Sequence, residues 1–254
     1  MQPTHYTLLP QVYDQWQRSY GKDYSTLILP RLIISLRRYN IRPGVMVDLA
    51  CGTGTLALMM AKRGWRVCGV DASPGMIEEA KRKLNGTRHP VTLIQQDMRT
   101  FTLPEPARLA TCFYDSLNHL RTLRDLAATF KRVYNCLTPG GYFIFDVNNE
   151  HCFRTLWKQK QVIDEPDFEM TLDNQYNQYT RLARSRVIVD MKSGKQEQFT
   201  ETVFERCYRS KEIADALEKT GFNVIENTDY NFTRLRRIGK IKTWWVARKP
   251  TPAV

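Results

Sequence analysis

The first 150 residues alternate short β-forming runs with helical segments, and this alternation restricts the chain to very few folds. Runs rich in branched and aromatic residues stand at 45–49, 66–71, 92–97, 109–115 and 142–147. Strands that alternate with helical patterns of about 10–15 residues indicate parallel strands joined by right-handed crossovers. The sequence therefore predicts an α/β fold with a central parallel sheet.

The pattern changes after Asn149. Three segments then alternate polar with aromatic or branched residues at a period of two, which predicts antiparallel strands. They are 168–179, 181–191 and 197–208. Helical periodicity returns at 211–222, and two more β-forming runs follow. We therefore expect a small antiparallel insertion at 150–208.

The first strand ends in a glycine-rich turn, VDLACGTG at 47–54, that two classes of cofactor use. Its continuation GTGTLA (52–57) fits the pattern of nicotinamide dinucleotide sites, with Asp71 as the acid near the end of the next strand. Asp48 argues against a dinucleotide, because the pyrophosphate would lie at this turn, where an acid is unfavourable. The same acid suits the amino-acid end of S-adenosylmethionine.

Further motifs complete a pattern that is typical of one family. They are VDAS (70–73), QQDM (95–98), YDSLNHL (114–120) and LTPGGYFIFDVN (137–148). With them the chain resembles the class I S-adenosylmethionine-dependent methyltransferases over 13–149, 201–222 and the last strand. One departure is Ala50, where many relatives carry glycine. We expect that its backbone need not take a positive φ, since the turn can begin later.

The resemblance implies a Rossmann-like, seven-stranded methyltransferase sheet with a small antiparallel β insertion. It also implies a division of the chain and S-adenosyl-L-methionine as the cofactor. Residues 1–40 would form an N-terminal helical lid, and 41–149 the cofactor-binding core. The insertion at 150–208 would cover the acceptor pocket, and 209–254 would complete the core.

The resemblance further implies a set of cofactor-binding residues at the strand ends. Gly52 and Gly54 would let the backbone approach the cofactor, and Asp48 would hold its amino-acid end. Asp71 would accept hydrogen bonds from both ribose hydroxyls, because an ionised carboxylate offers paired acceptors. The adenine neighbours would be Ala72, Met76 and Asp97, and the set is completed by Ala50, Met98 and Tyr114.

Methyl transfer from a sulfonium is an in-line displacement, for which the enzyme mainly supplies proximity, orientation and desolvation. His119 is a candidate to orient or deprotonate an incoming amine, and packing beneath the insertion is the alternative. Tyr13 is the candidate lid tyrosine on the sulfonium side. Arg181, Arg184 and Arg186 could meet an acidic or phosphorylated acceptor, or face water.

Three functions are consistent with these motifs. The first is methylation of a small metabolite. The preferred target is a nitrogen, as in glycine-type and aminosugar N,N-dimethyltransferases, and the second choice is an oxygen. The net charge of +12 and the basic stretch at 233–242 leave RNA as an alternative acceptor. YDSLNHLRT, which follows the fourth strand, lacks the Asn/Asp-Pro-Pro-Tyr/Phe signature of many nucleic-acid methylases. The third is a non-catalytic protein that binds S-adenosylmethionine.

The cysteines and the apolar runs bear on metals and location. The six cysteines are scattered and form no CxxC pair or Cys/His cluster, so we expect no metal and no disulfide. No apolar run reaches membrane-spanning length, and the N-terminus lacks the charged-then-apolar pattern of a secretion signal. We therefore expect no membrane association and a cytoplasmic location.

Overall fold

The computed structural model describes residues 6–19, 21–192, 197–231 and 239–252. The helices in these ranges are α1 (Pro10–Ser19), α2 (Tyr24–Arg38), α3 (Thr55–Ala61), α4 (Pro74–Leu84), α5 (Leu123–Cys136), α6 (Glu150–Leu156) and α7 (Ser210–Thr220). The strands are β1 (Val45–Leu49), β2 (Arg66–Asp71), β3 (Val91–Gln95), β4 (Ala107–Cys112), β5 (Leu137–Asn148), β6 (Lys160–Asp164), β7 (Phe168–Asn177), β8 (Leu182–Met191), β9 (Gln198–Arg206), β10 (Asn223–Tyr230) and β11 (Lys242–Arg248). Within the described ranges, every helix is too short or too polar to cross a membrane.

Seven strands form one sheet in the order β10-β11-β5-β4-β1-β2-β3, which confirms the predicted sheet. Strands β1 to β5 are parallel, whereas β11 pairs antiparallel with both β5 and β10. Val47 of β1 lies between Cys68 of β2 and Ala110 of β4. Because parallel strands end at one edge of a sheet, the segments that follow β1, β2 and β4 meet there.

Aromatic pairs on both faces of the sheet hold the last strand in place. Neighbouring side chains of a strand point to opposite faces, and Trp244 and Trp245 are both fully buried. The Trp244 ring stacks on Phe113 with centroids 5.1 Å apart, and the Trp245 ring stacks on Phe145 at 5.9 Å. Such pairs contribute about 0.5–1.5 kcal/mol each beyond their buried area. This packing fixes the position of Lys242 at the start of β11.

The insertion is a separate antiparallel sheet in the order β6-β7-β8-β9. Its three longer strands were predicted, but β6 and helix α6 were not. Strand β6 has five residues at the sheet edge, and its Val162 is exposed. A short edge strand therefore leaves little periodicity to detect in the sequence.

One face of the insertion sheet packs on the N-terminal segment. Leu9 and Val12 form one apolar cluster with Phe168, Met170 and Val189. The backbone N–H of Leu9 also donates to a carboxylate oxygen of the insertion, at 3.3 Å. The N-terminal segment is thus held between the insertion and the α/β core.

Candidate cofactor and acceptor site

Three acidic residues lie where the parallel strands end. Asp48 is in β1, Asp71 is the last residue of β2, and Asp97 follows β3 by two residues. Asp71 and Asp97 line a cavity of about 180 Å³, and Asp48 lines a smaller one of about 60 Å³. Gly52 lines both cavities, so the two meet at the glycine turn.

The turn after β1 contains three residues with a left-handed backbone: Ala50 (φ 51°), Gly52 (φ 53°) and Gly54 (φ 75°). The expectation that Ala50 avoids a positive φ is therefore wrong, because the turn begins at this residue, at a cost of about 1–2 kcal/mol. Gly54 lines neither cavity, and its contact with the cofactor stays a prediction. A Cβ atom there would lie 3.2 Å from the Cβ of Ala80, so Gly54 lets α3 and α4 approach each other.

The Asp71 carboxylate is oriented by backbone donors. Its Oδ2 accepts from the N–H of Gly52 at 2.9 Å, and its Oδ1 accepts from the N–H of Ser73 at 2.8 Å. Burial raises the pKa of Asp71, and these N–H donors oppose that rise. Each carboxylate oxygen can accept a second hydrogen bond, so Asp71 retains acceptor capacity toward the cavity.

The Asp48 carboxylate is 3% exposed and accepts a hydrogen bond from the Thr111 hydroxyl at 2.6 Å. Burial raises the pKa of Asp48 to about 7; the Thr111 hydroxyl opposes this shift and the negative charge of Asp71 adds to it. A buried carboxylate of this kind favours a cationic partner. Asp48 therefore presents a site for an ammonium group at the smaller cavity.

The outer wall of the 180 Å³ cavity is largely apolar. Ala72, Met76 and Met98 line it together with Asp97. Both oxygens of Asp97 accept from Arg99, whose Nη2 lies 2.6 Å from Oδ2 and whose Nε lies 3.0 Å from Oδ1. Burial raises the pKa of Asp97, but the hydrogen bonds of Arg99 outweigh it and the net shift is downward. The motif analysis missed Arg99, although it stands two residues after a strand-end acid.

Tyr13 lies in α1 and lines both smaller cavities, and Tyr6 lines the larger of the two. The helix is fastened through Asp14, which accepts from the Thr53 hydroxyl at 2.6 Å and lies 2.6 Å from the Lys83 ammonium. Burial raises the pKa of Tyr13 well above its ordinary value. Tyr13 is therefore a neutral phenol at physiological pH.

A third cavity, of about 580 Å³, lies between the core and the insertion sheet. All four strands of the insertion line it, and the three longer ones do so with alternate residues: Leu172 and Asn174 of β7, Ser185 and Val187 of β8, and Val203 and Glu205 of β9. The volume falls in the range of about 300–1,000 Å³ that is common for small-molecule sites. Further apolar and aromatic lining residues are Leu9, Trp16, Leu27, Leu156, Trp157 and Ile241.

Tyr114 lines all three cavities and so marks the place where they meet. It follows β4, and both Tyr114 and Asp115 have a left-handed backbone, with φ of 60° and 52°. Each such residue costs about 1–3 kcal/mol, and they concentrate at functional sites. The N–H of Asp115 donates to Oδ1 of Asp146 at 2.9 Å, and the Tyr114 ring stacks on Tyr24 with centroids 4.5 Å apart. These contacts hold the strained turn.

A cluster of charged groups lies in the wall of the 580 Å³ cavity. The Lys242 ammonium, 4% exposed, is 2.7 Å from Oδ1 of Asp115 and 3.7 Å from Oδ1 of Asp146. Burial opposes a charged Lys242, but the two carboxylates outweigh it and hold its pKa above the ordinary value. Glu205 is 2% exposed and accepts from Nδ2 of Asn148 at 3.0 Å. Burial, followed by the charge of Asp115, raises the pKa of Glu205 well above its ordinary value.

The motif analysis did not single out Glu205, and it included Lys242 only as the last residue of the basic stretch at 233–242. Glu205 takes an inward position in a strand of alternating pattern, and Lys242 begins a strand, KTWWVAR, whose residues 244–247 are all apolar. A charge at a core position is costly unless it is paired or functional. That conflict with the pattern is the signal that points to both residues.

His119 ends a 3₁₀ turn, Ser116–His119, and lines the 180 Å³ cavity. Its Nδ1 lies 3.2 Å from the carbonyl oxygen of Phe204, which only accepts, so Nδ1 donates in this bond. Its Nε2 lies 3.4 Å from the Tyr6 hydroxyl. One ring nitrogen also lies within 4.8 Å of carboxylate oxygens of Asp115 and Glu205. The structure therefore places His119 between the cofactor cavity and the acceptor cavity.

The three arginines of β8 and its preceding turn do not line the 580 Å³ cavity. Arg181 forms a bidentate ion pair with Glu212 of α7, both distances being 2.6 Å. Arg184 and Arg186 are exposed and alternate with the strand residues that line the cavity, so they face away from it. The exposure of Arg184 and Arg186 is consistent with the water-facing alternative, and contact with an acidic or phosphorylated acceptor stays a prediction.

The residues around the two smaller cavities fit the chemistry of S-adenosylmethionine. Asp48 offers a buried carboxylate for an ammonium, and Asp71 offers oriented acceptors for hydroxyl groups. Ala72, Met76 and Met98 offer apolar surface for a flat ring. The donor set of this site therefore agrees with the cofactor that the motifs predict.

Comparison with known proteins gives the same answer. Residues 46–141 match the model of a methyltransferase domain. A putative methyltransferase of Bacillus subtilis, YqeM, is 30% identical over 189 residues, which are 71% of this chain and 74% of that protein. The dTDP-3-amino-3,6-dideoxy-alpha-D-glucopyranose N,N-dimethyltransferase of Streptomyces fradiae is 28% identical over 139 residues, 54% of this chain and 52% of that enzyme.

The fold also matches a solved structure. An S-adenosylmethionine-dependent methyltransferase from Clostridium acetobutylicum superposes with a TM-score of 0.81 at 24% identity, covering 94% of this chain and 97% of the other. At that identity the likeness concerns the fold. Together with the match to YqeM across most of both chains, these findings confirm the resemblance seen in the motifs. The chain belongs to the methyltransferases, and S-adenosylmethionine is the cofactor that its motifs and the residues of its two smaller cavities fit.

Proposed function

We propose that this enzyme methylates an amine nitrogen of a small molecule bound in the 580 Å³ cavity. The observation that carries this proposal is that the cavity meets the cofactor cavities at Tyr114 and presents the carboxyl groups of Asp115 and Glu205. Carboxyl groups in a water-poor pocket attract an ammonium group and give its proton a destination. The N,N-dimethyltransferase relative, which acts on an amino sugar by its name, supports a nitrogen acceptor.

The chain's own residues would hold the reactants in line and exclude water. S-adenosylmethionine supplies an activated methyl group on a sulfonium. Asp48 and Asp71 would bind the two polar ends of that cofactor, with Tyr13 covering them from α1. The apolar walls of the acceptor cavity would keep water from the reacting atoms, which strengthens each electrostatic contact inside.

An oxygen acceptor and an RNA acceptor are the alternatives. A hydroxyl group would gain less from the two carboxyl groups, since it arrives uncharged. RNA binding depends on the basic stretch at 233–242, most of which lies outside the described residues. The cavity between the core and the insertion, with its two carboxyl groups, therefore favours a small amine over both.

Transfer of a labelled methyl group to three classes of acceptor tests the proposal. The classes are primary and secondary amines, including amino sugars; the corresponding alcohols; and transcribed RNA. We expect methylation of amines. Methylation of alcohols or of RNA alone would contradict the proposal, as would tight binding of S-adenosylmethionine with no turnover on any class.

The raised pKa of Asp48 predicts that cofactor affinity depends on pH. An ammonium binds the ionised carboxylate, so affinity should rise from about pH 5.5 to about pH 7.5, while the donor's amino group is still charged. The stability of the free protein should change with pH in the opposite direction. Because the folded pKa lies above the ordinary value, the stabilising contribution of Asp48 is complete below about pH 4 and is lost as pH rises through 7.

Titration calorimetry and urea unfolding across this pH range measure both trends. The Asp48→Asn variant has no ionisable group at this position, so neither its cofactor affinity nor its stability should show this pH dependence. An affinity that varies equally with pH in wild type and Asp48→Asn would mean that another group binds the ammonium.

His119→Ala tests the predicted role of His119 at the boundary between the two cavities. We expect kcat to fall by about 100-fold, because His119 would orient the acceptor amine beside Asp115 and Glu205, while the Kd for S-adenosylmethionine changes by about twofold or less. Steady-state kinetics with a methylated amine and calorimetry give the two numbers. An unchanged kcat would leave His119 with a packing role only.

A further inference from the structure

We propose that Glu205 accepts the proton that an amine acceptor loses before its nitrogen attacks the methyl group. This inference rests on the proposed function, since an amine arrives at neutral pH as an ammonium whereas a hydroxyl group does not. The inference is supported by the position of Glu205 among the described residues and by the charged groups around it.

Glu205 lies near the end of β9 and lines the 580 Å³ cavity while only 2% exposed. One carboxylate oxygen accepts from Nδ2 of Asn148 at 3.0 Å, which fixes the plane of the group. A second carboxylate oxygen is not held by that bond. Asp115, next to Tyr114 where the cavities meet, lies within 4.8 Å of the Glu205 carboxyl group. Glu205 thus lies close to the junction of the cavities, where the proposed function puts methyl transfer.

The charged groups around Glu205 come from several elements, and together they determine which ionisation state it favours. Lys242 of β11 pairs with Asp115 at 2.7 Å and lies 3.7 Å from Asp146 of β5, so its positive charge is already matched by two carboxylates. His119 of the 3₁₀ turn uses its Nδ1 on a backbone carbonyl. Glu205 is left with no cation of its own among these groups, and its burial beside ionised Asp115 keeps it protonated.

An ammonium that enters the cavity supplies the missing positive charge. Glu205 then ionises, releasing its proton to solvent, and pairs with the ammonium. A buried carboxylate with a raised pKa is a better base than an exposed one, so it competes more effectively for an ammonium proton. His119 serves less well as this base, because both its ring nitrogens have protein partners.

The proposed step balances. An N–H bond of the ammonium breaks as an O–H bond forms on Glu205, which leaves a neutral amine with a lone pair. That lone pair forms the new N–C bond to the methyl carbon, and the electron pair of the broken C–S bond stays on sulfur. The nitrogen becomes a methylated ammonium, the sulfonium becomes a neutral thioether, and Glu205 is left protonated.

The test compares the pH profiles of wild type and Glu205→Gln, using the amine with the highest turnover in the acceptor panel. Glutamine keeps the size of the side chain and an acceptor for Asn148, but it cannot take a proton. We expect kcat at pH 7 to fall about 100-fold and then to rise tenfold per pH unit up to the pKa of the amine, because a neutral amine needs no base. Glu169→Gln, an exposed glutamate of β7, should leave the rate and its pH profile unchanged.

The outcomes separate this inference from the proposed function. A loss in Glu205→Gln that is equal at every pH would give Glu205 a structural role, and only the inference would fall. A panel in which no amine is methylated overturns the proposed function and the inference together. If Glu205→Gln does not fold, the ¹³C carboxyl resonances of glutamate-labelled wild-type protein test the inference instead. Addition of the amine should ionise one buried glutamate whose signal is absent from Glu205→Asp, and no change would overturn the inference.

Discussion

Replacing Lys242 with methionine should lower the free energy of unfolding by about 3–5 kcal/mol, because it leaves buried carboxylates without their counter-charge. The ammonium lies 2.7 Å from Asp115 and 3.7 Å from Asp146, and its side chain is 4% exposed. It also lies over the rings of Tyr24 and Tyr114, at 5.3 and 5.7 Å from their centroids. Methionine retains most of the apolar volume, so the loss measures the charge. Urea unfolding at pH 7 gives the value.

The loss should depend on pH. Burial raises the pKa of Asp115, but Lys242 outweighs it and holds the net value below the ordinary one. This contribution to stability is therefore present above about pH 4 and is lost as pH falls through the lowered pKa. The difference in the free energy of unfolding between wild type and Lys242→Met should therefore become smaller at acidic pH.

A matched control is Lys211→Met on α7, whose ammonium is 82% exposed at the side chain and pairs with Asp215 at 2.8 Å. An exposed pair of this kind contributes little to the free energy of unfolding, because water screens it. Similar losses for Lys242→Met and Lys211→Met would contradict the view that Lys242 balances buried charge. A Lys242→Met, Asp115→Asn double variant should recover part of the loss, since one of the unpaired carboxylates is then absent.

Asp71→Ala should weaken binding of S-adenosylmethionine by about 1.5–3 kcal/mol, or roughly 10- to 150-fold in Kd. The carboxylate has lone pairs directed to the 180 Å³ cavity, and its bonds from the N–H groups of Gly52 and Ser73 set their direction. Alanine removes both the acceptors and the support of the turn. Titration calorimetry with S-adenosylmethionine measures the change.

Two variants separate these contributions. Asp71→Asn keeps one acceptor oxygen and should lose less affinity than Asp71→Ala. Asp215→Ala, on the surface of α7, should bind the cofactor as wild type does. If Asp71→Ala retained full affinity, the ribose hydroxyls would have to be bound elsewhere.

The α/β core could be predicted from the sequence because each of its strands produces a local pattern of residues. Apolar runs such as 45–49 and 142–147 are bounded by turns and caps, and Ser73, for example, caps α4 by accepting from the N–H of Met76. Strand β6 was missed because five residues at a sheet edge carry almost no period. The conformation of Ala50 was also missed, since alanine rarely adopts a left-handed backbone and gives no sign of it in sequence.

The acids at the strand ends could be predicted from the sequence, whereas the charges in the wall of the 580 Å³ cavity could not. Asp48, Asp71 and Asp97 each stand at or near the end of a parallel strand, and the topology of such sheets brings strand ends together. Glu205 and Lys242 have no comparable motif. Their meaning comes from a cavity to which the core, the N-terminal segment and the insertion all contribute residues.

The amino-acid sequence alone determined the family, the sheet and the acids at its edge, because each depends on residues close together along the chain. Tertiary structure alone decided which charges share one pocket, and so which of them hold a proton. Lys242 and Asp115 are 127 positions apart, and Glu205 reaches the same cluster from the insertion. Burial and the distance to the nearest opposite charge set the ionisation of each group, and neither quantity exists until the chain has folded.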